Sequence, residues 1–252
     1  MSSPPATTPI LLQFALSHYC ERARWGLDAA GMSYEVRNLV PGFHMPLVGA
    51  LTGQTQVPVL QTTQRQIVGS GRILDWIESE QPEVPTRVEP AGALALKEIE
   101  DFATRSLGPK VRRLLYEYLL RCPRVLLPML QAGLSPAKSW AVRAAFPGLR
   151  VLMRQGMKIS PEKAARDRDA LQAAFSQRFA HLRPGRYVLG ERFSRADITV
   201  ASLLAPLYQP PEYPLPWPEA VPAPLAQALE PLQGLRPWVL WIYAKHRKGI
   251  AA

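Results

Sequence analysis

Short apolar runs separated by polar residues fill the N-terminal third of the chain, a pattern typical of small strands and helices packed together. The run at 9–15 has the length of a strand. After it, Ala23, Leu27 and Ala30 have the spacing of one helical face, and Gly31 stops that helix. The pattern predicts strands at 9–15, 34–40, 57–61 and 66–68, helices up to Ala30 and at 70–79, and a loop at 41–55.

The rest of the chain has a helical apolar pattern. It predicts helices at 91–107, 110–120, 137–157, 161–181, 194–207 and 225–246. Residues 82–90 hold three prolines and no apolar period, which indicates a linker. Seven prolines within 208–224 predict an extended connection. We therefore divide the chain into a disordered arm (1–8), an α/β domain (9–81), the linker (82–90) and an all-α domain (91–252).

Charge adds one feature to this picture. The 252 residues carry a formal net charge of +10, and residues 105–158 contain eleven lysines and arginines against Glu117 alone. Such an excess favours anionic partners such as nucleic acid, anionic lipid or a charged substrate. No motif of a nucleic-acid-binding protein accompanies it, so no nucleic-acid partner is expected. The segment 121–160 could serve as a lid, a peripheral membrane contact or a dimer element.

The cysteines and the N-terminus indicate a cytoplasmic protein. Cys20 and Cys122 are the two cysteines, and their separation predicts no disulfide framework and a reducing compartment. The first residues lack the basic and apolar regions of a signal peptide, and no apolar run reaches the length of a membrane span. The four histidines are not spaced like metal ligands, so we expect no metal.

Four short motifs stand in a characteristic order. They are SHYC at 17–20, QVPVL at 56–60, GSGRIL at 69–74 and FSRADI at 193–198. In this order and spacing they resemble motifs of the cytosolic glutathione transferases, and the resemblance covers residues 9–247. It implies a thioredoxin-like N-terminal domain, an all-α C-terminal domain, a homodimer, and glutathione as co-substrate for attack on a small-molecule electrophile.

The resemblance assigns a glutathione groove to the second and third motifs. It implies a cis peptide bond before Pro58, with Gln56 and Val57 beside a peptide ligand that adds to the strand. Ser70 would receive the glutamyl carboxylate at a helix N-terminus, although a plain N-cap serine is the alternative. Gly69 departs from the family, which has an acidic residue or glutamine there to meet the ligand's ammonium group. Gln54 or Gln56 could compensate.

The fourth motif predicts structure and no chemistry. Ser194 as N-cap and Asp197 three residues later form the pattern of a capping box. Phe193 and Ile198 have the positions of a hydrophobic staple around it. Removing Ser194 or Asp197 should lower the stability of this helix by about 0.5–2 kcal/mol.

Three residues of the first motif could carry the chemistry. Ser17, nearest the strand end, is the predicted hydrogen-bond donor that stabilises a glutathione thiolate. Cys20 is the rival: it has the second position of a C-x-x-C turn, and a thiol in the first helical turn has a lowered pKa. With Ser17 in the first position no dithiol forms, and the second position is generally the more buried. Tyr19 could instead donate its phenol, and His18 is expected at the surface.

Arg112 and Tyr116 are the predicted walls of the electrophile pocket. With Leu120 they share one helical face, and by resemblance this part of the chain selects the electrophile. The basic residues around them have two interpretations: they select an anionic electrophile, or they lie on helix faces exposed to solvent. Two other functions remain open: a glutathione-dependent thiol-disulfide transferase acting through Cys20, and a non-catalytic scaffold or ligand carrier on the same fold.

Overall fold

A computed structural model describes residues 8–247 of the chain, so most of the predicted arm (1–8) lies outside the described residues. The N-terminal region contains four strands and three helices. They are β1 (Ile10–Gln13), α1 (His18–Ala29), β2 (Glu35–Asn38), α2 (His44–Thr52), β3 (Val59–Gln61), β4 (Gln66–Val68) and α3 (Ser70–Glu80).

The four strands form one sheet in the order β2-β1-β3-β4. β1 pairs parallel to β2 and antiparallel to β3, and β3 pairs antiparallel to β4. Leu11 and Leu60 on one face of the sheet are in the same core cluster as apolar residues of α1 and α3. On the other face, Leu12 and Val59 cluster with Val48 of α2. This is the predicted thioredoxin-like arrangement, and the predicted helical region follows it.

The helical region surrounds one buried helix. Its helices are α4 (Ala93–Phe102), α5 (Gly108–Leu119), α6 (Pro123–Gln131), α7 (Pro136–Gly156), α8 (Pro161–Gln177), α9 (Arg195–Tyr208), α10 (Ala223–Leu229) and α11 (Arg236–His246). A π-helical turn, Ala103–Leu107, joins α4 to α5. Every residue of α9 is buried. The predicted capping box is confirmed, because Asp197 accepts the Ser194 N–H at 2.9 Å and the capping interactions of Ser194 are present.

Three predictions about helices are wrong. The predicted loop at 41–55 contains α2, whose apolar residues mostly face outward, so that only Val48 is buried and no periodic pattern shows. A helix, α6, was not predicted at 123–131 because of its prolines; Pro123 stands at its first position, where a missing N–H costs nothing. The single helix predicted at 225–246 is α10 and α11 separated by the 3-10 turn Glu230–Leu235, which contains Pro231.

A cluster of five charged side chains ties the sheet region to the helical region. Arg195 of α9 donates to Glu100 of α4 at 2.9 Å and to Asp75 and Glu78 of α3 at 2.8 and 3.0 Å. Arg22 of α1 donates to the same Glu100 at 2.6 Å. Both arginines are almost completely buried. This Arg195 cluster holds α1 in place against α4 and α9. The boundary at 82–90 stays a prediction.

Candidate active site

Ser17 begins α1. Its backbone is extended, its Oγ accepts the N–H of Cys20 at 3.4 Å, and its own N–H donates to Phe14 O at 3.1 Å. The hydroxyl proton of Ser17 is not used by this capping bond. Backbone N–H groups of the first turn and the positive end of the helix dipole lie at the same point, where negative charge is stabilised. Ser17 is half-buried and faces a cavity.

That cavity has a volume of about 270 Å³ and lies between α1, α2 and the helical region. Its walls are mostly apolar. Helices α5, α6, α7 and α10 contribute part of them, among others through Leu115, Met129, Met153 and Leu225, and Met157 follows directly after α7. Among the described residues that line it there is no aspartate or glutamate. The cavity therefore suits a ligand with an apolar body that does not carry a positive charge.

The structure brings four predicted site residues to this cavity: Ser17, Tyr19, Arg112 and Tyr116. Arg112 is the one ionised side chain among the described lining residues. Its Nε is buried and has no hydrogen-bond partner among residues 8–247. Burial raises the pKa of Tyr116 to about 12. Leu120, predicted on the same face, is buried in the core and does not line the cavity.

Arg113 shows why Arg112 is unusual. It forms a two-point ion pair with Asp167 of α8, with the second contact at 2.9 Å. Helix α5 thus directs two consecutive arginines to different surroundings, since adjacent helical positions lie about 100° apart. Arg113 joins α5 to α8, whereas Arg112 lines the cavity and forms no ion pair with another described residue.

His18 is not at the surface, so the prediction for it is wrong. It is only 5% exposed, lines the cavity, and has a buried Nε2 without a hydrogen-bond partner among the described residues. Because the helical region covers the first turn of α1, His18 is not exposed to solvent as expected. Burial and the nearby charge of Arg112 lower the pKa of His18 to about 3. His18 is therefore a neutral imidazole at physiological pH.

Tyr19 lines the cavity with its hydroxyl already engaged. The hydroxyl donates to Thr104 O in the π-helical turn at 2.9 Å. Gly108 makes room for the ring, because a Cβ there would lie 2.4 Å from the Tyr19 hydroxyl. Burial raises the pKa of Tyr19 to about 12. This arrangement fits a positioning contact between α1 and α5 better than a donor to sulfur.

Cys20 does not have the lowered pKa predicted for it. It is completely buried, as expected for the second position of the turn, and it does not line the cavity. Desolvation raises its pKa, and this effect exceeds the lowering caused by Arg24 and by Ser17. A buried thiol with a raised pKa is the opposite of a reactive thiolate.

The residues assigned to glutathione form a second group, and none of them lines the cavity. The Val57–Pro58 peptide bond is cis, as predicted, and Pro58 O accepts the N–H of Gly69 at 2.9 Å. This bond brings the start of β3 next to the start of α3, where Ser70 is buried. Gln56 is exposed, and the Val57 backbone has no hydrogen bond to another described residue. Gly69 has φ 93°, a backbone that favours glycine and disfavours an acidic side chain.

Sequence reasoning missed much of the cavity wall. The segment 208–224, predicted as an extended connection, contributes Gln209, Trp217 and Val221. Helices α6 and α7 contribute one methionine and one leucine each, namely Met129, Leu130, Leu152 and Met153. The signal was present in the unusual length of 121–160 and in its apolar residues. Among the described residues no group of three or more His, Cys, Asp or Glu side chains could hold a metal ion. Across residues 8–247 no helix is long and apolar enough to cross a membrane.

Residues 11–85 match the family profile described as the glutathione S-transferase N-terminal domain. No curated protein sequence matches the chain. Similar solved structures include glutathione transferase GSTFuA3 from Phanerochaete chrysosporium, with 13% identity, a TM-score of 0.62, and coverage of 98% of this chain and 100% of that one. The beta-etherase LigF from Sphingobium sp. strain SYK-6 has 15% identity, a TM-score of 0.56, and coverage of 95% and 100%. A theta class glutathione S-transferase from Xanthomonas axonopodis pv. citri, with glutathione bound, has 20% identity, a TM-score of 0.51, and coverage of 97% and 99%. At these identities the likeness shows the fold.

Proposed function

We propose that the chain, whose residues 11–85 match the glutathione S-transferase N-terminal domain, binds glutathione and directs the thiolate of glutathione at an electrophile held in the cavity. The observation that carries this proposal is the position of Ser17. It caps α1 and also lines the cavity, so a sulfur atom bound at the start of α1 would face a ligand in the cavity. The glutathione bound to the theta class structure supports the choice of ligand.

Stabilising the thiolate is the main task of such a site. A thiol with an ordinary pKa near 8.5 is mostly protonated at pH 7. The helix N-terminus contributes about 0.3–2 kcal/mol and a hydroxyl hydrogen bond to a charged sulfur about 1.5–3 kcal/mol. Together they would lower the pKa of the bound thiol by about 1.5–3. The thiol proton leaves to solvent, the sulfur forms a bond to the electrophilic carbon, and the leaving group departs with its electron pair.

The electrophile is proposed to carry a negative charge on an apolar body. Arg112 is a half-buried cation with a buried Nε, and it faces an apolar cavity that has no acidic residue among its described walls. A buried charge without a partner is costly, and a carboxylate or sulfonate on the ligand would satisfy it by charge-assisted hydrogen bonds. His18, held neutral, does not compete for that anion and offers a second polar contact.

Substitution of Ser17 tests the catalytic role. Ser17→Ala should lower kcat/KM for 1-chloro-2,4-dinitrobenzene by roughly tenfold to a hundredfold, which corresponds to the lost hydrogen bond. The pH at which kcat/KM reaches half its maximum should rise as well. Ser33→Ala, at an exposed serine, is the matched control. Unchanged turnover in Ser17→Ala would show that the sulfur is stabilised elsewhere.

Substitution of Arg112 tests the charge of the electrophile. The acid 4-chloro-3,5-dinitrobenzoate and its methyl ester differ only in that charge. Arg112→Gln should raise KM for the acid by roughly tenfold or more and leave KM for the ester within about twofold. Arg112→Lys should retain part of the preference. If Arg112→Gln changed KM equally for the acid and the ester, the proposed electrophile class would be wrong. Arg112 would then act on the glutathione sulfur, and the proposal of transferase activity would stand.

The two alternative functions have separate tests. Cys20→Ser should leave conjugation and thiol-disulfide exchange unchanged, because the Cys20 thiol is buried and has a raised pKa. A ligand carrier is favoured by one observation, the missing side chain at Gly69. Isothermal titration calorimetry with glutathione should show binding at or below millimolar concentration; failure to bind would support the carrier.

A further inference from the structure

Two segments without any acidic residue meet on one side of the molecule. Residues 36–74 and 118–161 contain no aspartate or glutamate. The first includes α2 and the second includes α6 and α7. They are in contact, since Asn38 Nδ2 donates to Gly133 O at 3.1 Å, and a Cβ on Gly42 would lie 2.6 Å from Leu149 Cδ2. This side of the protein has no carboxylate of its own to repel an anionic partner.

Large apolar side chains are exposed on α7 and around α2. Trp140 is 72% exposed and Val151 52% exposed on α7, and Phe43, at the start of α2, is 59% exposed. Helix α7 buries Val142 and Phe146 on its inner side, so Trp140 and Val151, eleven positions apart, project from the outer side. We call this surface the α2–α7 face; its apolar members are Phe43, Met45, Leu47, Trp140, Val151 and Leu152.

Unpaired cations accompany these apolar residues. Lys138, Arg143, Arg150 and Lys158 are exposed, and none forms an ion pair with another described residue. Other arginines nearby are neutralised, since Arg121 and Arg154 both pair with Glu117. Helix α7 is thus amphipathic in an unusual way. Its inner side packs on the protein, and its outer side combines a tryptophan, aliphatic residues and positive charge.

The cavity opens on this face. Met45 and Leu152 line the cavity and are also 38% and 47% exposed, so they stand at its mouth. The walls behind them are apolar. A molecule that enters here passes between the apolar residues of α2 and α7 before it reaches Arg112 and Ser17.

We propose that the α2–α7 face binds the surface of an anionic lipid bilayer and turns the cavity mouth toward the lipid. A helix that carries Lys and Arg beside Trp and Leu lies in the plane of the interface, with the ring of the tryptophan at headgroup level. Charge alone would also suit nucleic acid, but exposed aliphatic side chains contribute nothing to phosphate contacts. The lipid surface is the partner that uses both features. This binding does not depend on glutathione.

Vesicle cosedimentation tests the proposal on the full-length protein. The wild type should partition onto vesicles of 30% phosphatidylserine in phosphatidylcholine, and at least tenfold less onto pure phosphatidylcholine or in 0.5 M salt. Arg143→Gln with Arg150→Gln should reduce partitioning roughly 25-fold, about fivefold for each charge. Trp140→Ser should reduce it by a further measurable factor. The control is Arg183→Gln with Arg186→Gln, two exposed arginines outside both acid-free segments.

Other occupants of the face give different results. Equal losses in the control pair would show that net charge, and not this face, drives binding. Wild-type protein that binds duplex DNA more tightly than the anionic vesicles would overturn the lipid assignment. So would sedimentation velocity in which Trp140→Ser converts a dimer into a monomer, because the face would then join two copies of the chain. Circular dichroism confirms that each variant is folded.

Discussion

The cavity and the Arg195 cluster place arginines in opposite circumstances. In the cluster, Arg22 and Arg195 share Glu100, and Arg195 has Asp75 and Glu78 as further partners. In the cavity, Arg112 faces apolar walls without a carboxylate among the described residues. Paired charges hold two regions of the protein together, and a charge without a partner is available for a ligand. The pairing of a buried arginine, more than its burial, distinguishes the structural role from the functional one.

One residue connects the two regions. Thr104, in the π-helical turn, accepts the Tyr19 hydroxyl at its carbonyl and the Arg22 guanidinium at its hydroxyl, at 2.9 and 3.0 Å. Tyr19 belongs to the cavity and Arg22 to the Arg195 cluster. π-Helical turns often occur at functional sites. Thr104 therefore ties two residues of α1, Tyr19 and Arg22, to the π-helical turn.

Breaking the Arg195 cluster should have the largest effect on stability. Glu100→Ala leaves Arg22 and part of Arg195 buried without their shared partner, and should lower the free energy of unfolding by about 3 kcal/mol or more. Glu89→Ala is the matched control, since its pair with Arg192 is exposed and worth less than about 1 kcal/mol. Urea denaturation measures both. Equal losses would show that the cluster contributes no more than a surface pair.

Filling the space between α1 and α5 should have the next largest effect. Gly108→Ala would place a methyl group against the Tyr19 ring, and should lower the free energy of unfolding by about 1–3 kcal/mol and displace Tyr19 from the cavity wall. Gly148→Ala, in α7 with no atom within 4 Å of the added Cβ, should instead stabilise by about 0.5–1 kcal/mol. Thermal unfolding separates the two. Stabilisation by Gly108→Ala would contradict the close contact.

The buried His18 predicts a specific dependence of stability on pH. Its pKa is lowered from 6.5 to about 3, so the unfolded chain binds more protons below pH 6.5 and stability falls as the pH falls. Between pH 7.5 and 5.5 this residue should account for a loss of about 1.4 kcal/mol. His18→Gln should remove that part of the slope, and His181→Gln, at an exposed histidine, should not. Identical slopes in wild type and His18→Gln would show that His18 is not held neutral.

Tyr19→Phe should have the smallest effect. It removes one hydrogen bond, to Thr104, and should cost about 1 kcal/mol of stability. Turnover with 1-chloro-2,4-dinitrobenzene should stay within about threefold, because the phenol does not donate to sulfur in our proposal. A loss as large as that expected for Ser17→Ala would assign Tyr19 to the chemistry.

The fold was largely predictable, because its signals are local. Apolar periodicity identified the strands and most helices, and the capping residues Ser17 and Ser194 marked two helix starts. The exceptions have a common cause. In α2 the apolar residues are exposed and in α6 prolines interrupt the pattern, so a rule that equates apolar residues with burial does not recognise either helix.

The candidate site was predictable in part. Ser17, Arg112 and Tyr116 were placed together by motif and helical spacing, and all three line one cavity. His18 was misplaced, and the lowered pKa expected for Cys20 was wrong, for the same reason: the first turn of α1 is covered by elements far away in sequence. Burial of this kind reverses the pKa shift that a helix N-terminus alone would produce.

The sequence by itself determined the order of the strands and of most helices, the cis peptide bond expected before Pro58, the capping of α9 and the excess of positive charge in one segment. Each depends on neighbouring residues, whose preferences are expressed locally. Tertiary structure decided which arginine meets a carboxylate, which residues of α1 face the cavity, and that two acid-free segments share one surface. These outcomes depend on contacts between distant segments, because the energy of a charge is set by what the folded chain places beside it.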